Sequence, residues 1–151
     1  MDTDRLMGFL AQEGFRPSLV AGVEVRFKYE GGHYYIRWAP GDDQYVAIGY
    51  PNFWSLRSPE ETVRALRAAN EAAQSIKVGK ILVLEEHHNV WAELELLIER
   101  PEQLEALFAR SLSVLTVVVA RFVELMRKSE PLADERIALK REEITRWMHG
   151  N

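Results

Sequence analysis

From Val23 to Tyr29 the chain alternates without a break: Val23, Val25, Phe27 and Tyr29 are apolar, and Glu24, Arg26 and Lys28 between them are charged. This period-two pattern predicts a strand with one face turned to a core. Gly31 and Gly32 turn the chain into a second strand, Tyr34 to Trp38. Pro40-Gly41-Asp42-Asp43 turns it again into a third, Gln44 to Tyr50. Three strands joined by tight turns make an antiparallel meander. Ahead of them, Asp2 or Thr3 caps a short helix through Glu13, with Leu6, Phe9 and Leu10 on one side and Gly14 ending it.

After the meander the period changes to that of a helix. Ser58-Pro59-Glu60-Glu61 is an N-terminal signal: serine caps, proline takes the first helical position, and Glu61 stands where a capping-box carboxylate reaches back. The helix is predicted to run to about Gln74 and to bury Val63, Leu66, Ala69 and Ala73. "KILVLEE" and "VWAELELLIE" read as two further strands, separated by the polar "HHN". Arg100-Pro101-Glu102 then opens a long helix to about Lys128, burying Leu104, Phe108, Leu115, Phe122 and Met126. At ~1.5 Å per residue, such a helix crosses a whole sheet. Ser129-Glu130-Pro131 reads as a hinge, followed by a charged helix from Asp134 to His149 carrying Ile137, Ile144, Trp147 and Met148.

The expected fold is therefore α+β: a single antiparallel sheet of about five strands in the order α-βββ-α-ββ-α, with an extra C-terminal helix. Residues 1–128 form one domain and 129–151 a helical extension. In the fifth strand Val90, Ala92, Leu94, Leu96 and Ile98 make one apolar stripe, while Trp91, Glu93, Glu95, Leu97 and Glu99 make the other face. The fourth is apolar on both faces, through Ile81 and Val83 on one and Leu82 and Leu84 on the other. An antiparallel sheet with one wet face has no need of this. Part of the second face is thus expected to be covered by the C-terminal helix, by a second copy of the chain, or by a client protein.

Composition narrows the function classes. The chain has 151 residues, 47% hydrophobic and 28% charged, ordinary for a single globular domain. With a formal net charge of −4 it carries no global basic field to gather nucleic acid or anionic lipid. Cysteine is absent, which removes disulfides, thiolate ligands and a cysteine nucleophile and suits a cytoplasmic protein. The apolar run Val114 to Ala120 falls well short of the ~20 residues of a membrane span, and no basic n-region marks a signal peptide.

Candidate chemistry is sparse. His87 and His88 are adjacent at the tip of a strand pair, close to Glu85, Glu86 and Glu93, and a small-ligand or metal-dependent enzyme would use them. Neighbours on a strand point to opposite faces, however, and His33 and His149 lie in other segments without metal-ligand spacing. The same residues serve as a hairpin loop. Glu93 and Glu95 share a face about 6.8 Å apart along the strand, a spacing open to paired acid–base work, though a solvated strand face accounts for both. No phosphate-binding glycine loop or nucleophile elbow is present. Phe27, Tyr29, Tyr34, Tyr35, Trp38, Tyr45, Tyr50, Phe53 and Trp54 crowd the meander and its exit. Core packing or a binding platform accounts for them, and the nearby cations are matched by Glu24, Glu30, Asp42 and Asp43.

The order of elements resembles the YbjN-type bacterial family, whose domains share their architecture with type III secretion chaperones. The resemblance is carried by "LAQEGF" closing the first helix, "VRFKYEGGHYYIRW" as the first hairpin, "RALRAANEAAQSIKVGKILV" leading into the fourth strand, and the long "EQLEALFARSLSVL" helix. It covers about residues 3 to 128. It implies an α+β domain, often dimeric, that engages other proteins, and it brings no catalytic motif to carry over. The resulting expectation is a non-enzymatic, chaperone-like protein-binding module, a cytoplasmic homodimer without cofactor or metal. It would hold a partner by strand-edge pairing and by the apolar anchors Trp54, Trp91, Leu97 and Trp147.

Overall fold

The computed structural model describes residues 2–129 together with Glu142 and Arg146. Of the helix expected from Asp134 to His149, Glu142 and Arg146 are described, both helical and exposed; its other residues, Trp147 among them, lie outside the described residues. In chain order the elements are α1 (Thr3–Gln12), β1 (Ser18–Val20), β2 (Glu24–Tyr29), β3 (Gly32–Ala39), β4 (Asp42–Ser55), α2 (Pro59–Ser75), β5 (Lys80–Leu84), β6 (Asn89–Leu97) and α3 (Pro101–Lys128). The strands form one sheet in the order β1-β2-β3-β4-β6-β5, every neighbouring pair antiparallel. The α+β reading holds, but the sheet has six strands where about five were expected. The added strand, β1, has three residues, too few for alternation to show. β4 is also longer than expected, because a bulge between Tyr50 and Trp54 lets it continue past Pro51 and pair again with β6.

Local signals set the helix starts. The Asp2 side chain accepts a hydrogen bond from the Arg5 N–H at the head of α1, and Ser58 Oγ accepts from the Glu61 N–H at the head of α2. Glu61 reaches back one residue further than a capping box requires, accepting from the Arg57 N–H at 2.9 Å and from Trp54 Nε1 at 3.0 Å. The valine-rich run inside α3 is helical, because packing against the sheet outweighs its strand propensity. An 18-residue window of α3 reaches a mean hydropathy of 1.8, apolar enough by composition to cross a membrane. In this fold Leu104, Phe108, Leu112, Leu115 and Val118 lie buried against the sheet.

Helices α1, α2 and α3 pack on one face. The larger cluster joins Leu6 and Leu10 of α1 and the α3 residues above to Val25, Phe27, Ile36, Val46, Ile48 and Leu94. A second cluster joins Ala65, Ala68 and Ala72 of α2 to Val90, Phe122 and Met126. Aromatic rings run between the two: Phe27 stacks on Tyr34, Tyr34 on Tyr50 at 4.5 Å, Tyr50 tilts against Phe53, and Phe53 meets Phe122 edge-on at 5.4 Å. Most of the crowded aromatics are therefore core.

The buried side of α2 corrects the sequence reading. Val63 and Leu66 are 47% and 44% exposed, whereas Ala65 and Ala72 are fully buried. Small side chains let the helix approach α3 and the sheet closely, so the alanine stripe faces inward and the larger residues are left outside. Adding bulk inside should therefore cost far more than adding charge outside. Ala68→Leu is expected to destabilise the fold by about 1–3 kcal/mol through overpacking, and Leu66→Lys by less than about 0.5 kcal/mol, measured by urea unfolding. The opposite ranking would mean that α2 is rotated.

Candidate functional site

The other face of the sheet carries no helix among the described residues, and its centre is a buried charge. Strand register sets Arg26, Tyr35, Gly49, Glu93 and Lys80 in one row across β2, β3, β4, β6 and β5. Glu93 is only 2% exposed. One of its carboxylate oxygens accepts hydrogen bonds from the Tyr35 hydroxyl and from Arg37 Nη2 at 2.9 Å, and the other lies 3.1 Å from Lys80 Nζ. Gly49 makes this possible: the Tyr35 ring lies across it where any Cβ would collide. The phenol thereby covers the middle of the sheet and roofs the carboxylate. Arg37 also stands over the Tyr35 ring, 5.2 Å from its centroid.

The next row extends the pattern. Glu95 accepts from the Tyr45 hydroxyl at 2.6 Å and pairs with Lys80 at 2.8 Å, while Glu24 pairs with Arg26 at 2.6 Å. Towards the bulge, Asn52 adopts a left-handed φ of 53° and its Oδ1 accepts from Trp91 Nε1 at 3.0 Å. The Trp91 ring stands edge-on to Tyr35 at 6.0 Å. A cleft of about 470 Å³ opens beside it, lined by Arg26, His33, Tyr34, Tyr35, Asn52 and Trp91 among others. The face expected to be oily is thus largely a lattice of paired charges, with apolar residues at its margins: Leu82 and Leu84 on β5, Trp91, and Leu97, which is 84% exposed.

Burial and the bond to Glu93 hold the Tyr35 phenol well above its usual range. The Tyr45 phenol is raised by its bond to Glu95. Lys80 is raised by its bonds to the two glutamates against a desolvation that opposes them, and Glu95 is lowered chiefly by Lys80 and Tyr45. Burial and neighbouring Tyr50 push Tyr34, on the helix side, up to about 12. Each acid in the lattice is matched to a donor, and each phenol keeps its proton. The arrangement stiffens a surface.

The sequence-predicted residues divide accordingly. Trp91 and Leu97 lie on the helix-free face, at different margins. Trp54 does not join them: it packs edge-on against Phe122 at 5.9 Å on the helix side, with its indole N–H donated to Glu61. Trp147 lies outside the described residues. His87 and His88 are exposed at the hairpin tip, His87 ending a single 3-10 turn from Glu85 and His88 in the left-handed region at φ 53°. Among the described residues no three of His, Asp or Glu are grouped to hold a metal ion. Glu93 and Glu95 do share a face, but one is buried and the other exposed. The sequence placed both on a solvated strand face and missed Tyr35, Arg37 and Lys80 as their partners. The only signal was a glycine inside a strand, which marks a close approach.

The phenols make stability depend on alkaline pH. A tyrosine ionises near pH 10 in an unfolded chain, and Tyr35 does so at a higher pH when folded, so the folded state holds its proton more tightly. The contribution is whole below about pH 10 and is lost as pH rises through the folded value. Lys80 acts in the same direction. The urea midpoint is expected to fall between pH 9 and pH 12, and to fall less steeply in Tyr35→Phe. An identical pH slope in the two proteins would contradict this placement of the phenol.

No protein-family model matches the chain, and no curated protein matches it. Its fold is found among solved structures. An uncharacterized protein from Methanothermobacter thermautotrophicus superposes with a TM-score of 0.60 at 12% identity, over 85% of this chain and 98% of that one. YbjN from E. coli, described as a candidate transcription regulator, superposes with a TM-score of 0.62 at 12% identity, over 79% of this chain and 89% of that one. At this identity the likeness is one of fold, and the fold of this chain is YbjN-like.

Proposed function

We propose that this chain is a non-enzymatic, chaperone-like protein-binding module, working in the cytoplasm as a homodimer. It engages a partner protein through the helix-free face of its sheet and through strand edges. The observation that carries this reading is the form of that face: a stiff lattice centred on buried Glu93, with Trp91 partly exposed and Leu97 almost wholly exposed at its margins. Apolar anchors beside paired charges are what a protein interface uses, the first for affinity and the second for register. Trp91 and Leu97 serve as the anchors, while Trp54 belongs to the subunit's own packing.

The candidate regulator function of YbjN raises nucleic acid as an alternative partner. The face favours it less, since Arg26, Arg37 and Lys80 are each paired with a glutamate, and phosphate binding needs cations that can release counterions.

The test is recovery of partners from the native lysate by wild type, Trp91→Ala and Leu97→Glu, with sedimentation equilibrium of the same proteins. Wild type is expected to retain specific proteins that both variants lose at least tenfold, and to sediment as a dimer at high micromolar concentration. Equal recovery by all three, or no specific recovery by wild type, would overturn the assignment of this face.

A further inference from the structure

The two edges of the sheet are built differently. β1 has three residues, follows Pro17, and runs into Ala21 and Gly22, both at positive φ. Shortness and a kink are how a natural sheet blunts an edge. At the other edge, β5 is Lys80-Ile81-Leu82-Val83-Leu84, with no proline, glycine or bulge and only one charge, at its start. All five residues are partly exposed. Among the described residues no backbone hydrogen bond reaches the outer side of β5. A flat apolar edge of this kind is a template for another strand.

The flanks of β5 point to which strand. Read from residue 77, the sequence is Lys-Val-Gly-Lys-Ile-Leu-Val-Leu-Glu-Glu: basic at the start, apolar in the middle, acidic at the end. Such a segment is complementary to itself when antiparallel. A two-fold axis at Leu82 sets Leu82 against its own copy, Ile81 against Val83, and Lys80 against Leu84. Past the strand ends this register brings Gly79 and Val78 of one copy, between Lys77 and Lys80, towards Glu85 and Glu86 on the 3-10 turn of the other, and Lys77, Glu85 and Glu86 are all exposed. On the helix-free face Leu82 is the cross-strand neighbour of Trp91, so the row across the junction reads Trp91, Leu82, Leu82, Trp91. Ile81 and Val83, which pack against the two core clusters, carry the apolar layer across on the other face.

We propose that β5 pairs with β5 of a second copy, antiparallel about Leu82, joining two six-stranded sheets into one continuous sheet. The pairing closes on itself, since each copy offers the same edge and the far edge is blunted. It rests on the reading of the chain as a homodimer and gives that dimer its interface. It also sets the two helix-free faces side by side, with one Trp91 on each side of the junction.

The chain has no cysteine, so one introduced cysteine reports its own contacts. Opposite residues of an antiparallel pair have Cα atoms about 4.5–5.5 Å apart, within disulfide reach. Leu82→Cys is expected to form a covalent dimer on mild oxidation at high micromolar concentration, and Leu97→Cys, on the same face but away from the axis, to stay largely unlinked. As a second measurement on the full chain, Lys77→Glu or Glu86→Lys alone should raise the dimer dissociation constant roughly fivefold, since symmetry counts each exposed pair twice. The two together should restore it. If wild type sediments as a dimer while Leu82→Cys stays unlinked and the charge reversals change nothing, this interface is wrong and the dimer reading stands. If wild type is monomeric throughout, both fall.

Discussion

The burial of Glu93 is the constraint around which the sheet is arranged. A carboxylate nearly closed to water is costly unless donors surround it, and its donors come from other strands: Tyr35 and Arg37 from β3, Lys80 from β5. The bonds to Tyr35 and Arg37 span β4, which contributes only Gly49 at that point, so β3, β4 and β6 must hold one register. A slip of one residue in β6 would turn Glu93 into the helix-side core, one in β3 would do the same to Tyr35, and one in β4 would put Ile48 or Tyr50 where Gly49 lets the phenol pass. The helices do not depend on the carboxylate directly. They depend on the register it fixes, because that register aligns Val46, Ile48 and Leu94 beneath α3.

The two faces of the sheet therefore solve different problems. The helix face is sealed by ordinary apolar packing, with the aromatic run from Phe27 to Phe122 linking the part under α1 and the front of α3 to the part under α2. Among the described residues the opposite face carries no helix; it is ordered by paired charges, with Trp91 and Leu97 at its margins. The partner, the dimer and the strand-to-strand junction are proposals that build on this asymmetry.

Much of the fold was legible because it is local. Alternation marked β2, Ser58-Pro59 marked the head of α2, Arg100-Pro101 marked α3, and Gly31 and Gly41 marked the turns of the meander, although the first turn is Glu30-Gly31 and Gly32, already in β3, pairs with Tyr29. What escaped was non-local or too short. β1 has three residues and no pattern. The side of α2 that packs inward is its alanine stripe, a matter of how close α3 comes, and hydrophobicity alone chose Val63 and Leu66 instead. The site was hardest. Adjacent strands of a hairpin show their pairing in sequence, but β4 and β6 are separated by α2 and β5, so nothing local tells that Gly49 lies beside Glu93. Without that register Glu93 and Glu95 look alike, although one is buried and the other open. Trp91 and Leu97 were placed on the outer face by alternation, whereas Trp54 follows a bulge that alternation cannot count across.

The most direct measurement of the central claim is a double-mutant cycle in unfolding free energy between Tyr35→Phe and Glu93→Gln. If the phenol and the carboxylate form one buried unit, the two changes are expected to be non-additive by about 1–2 kcal/mol. Additivity within about 0.3 kcal/mol would mean that Glu93 is not held by Tyr35, and that the helix-free face is not organised around it.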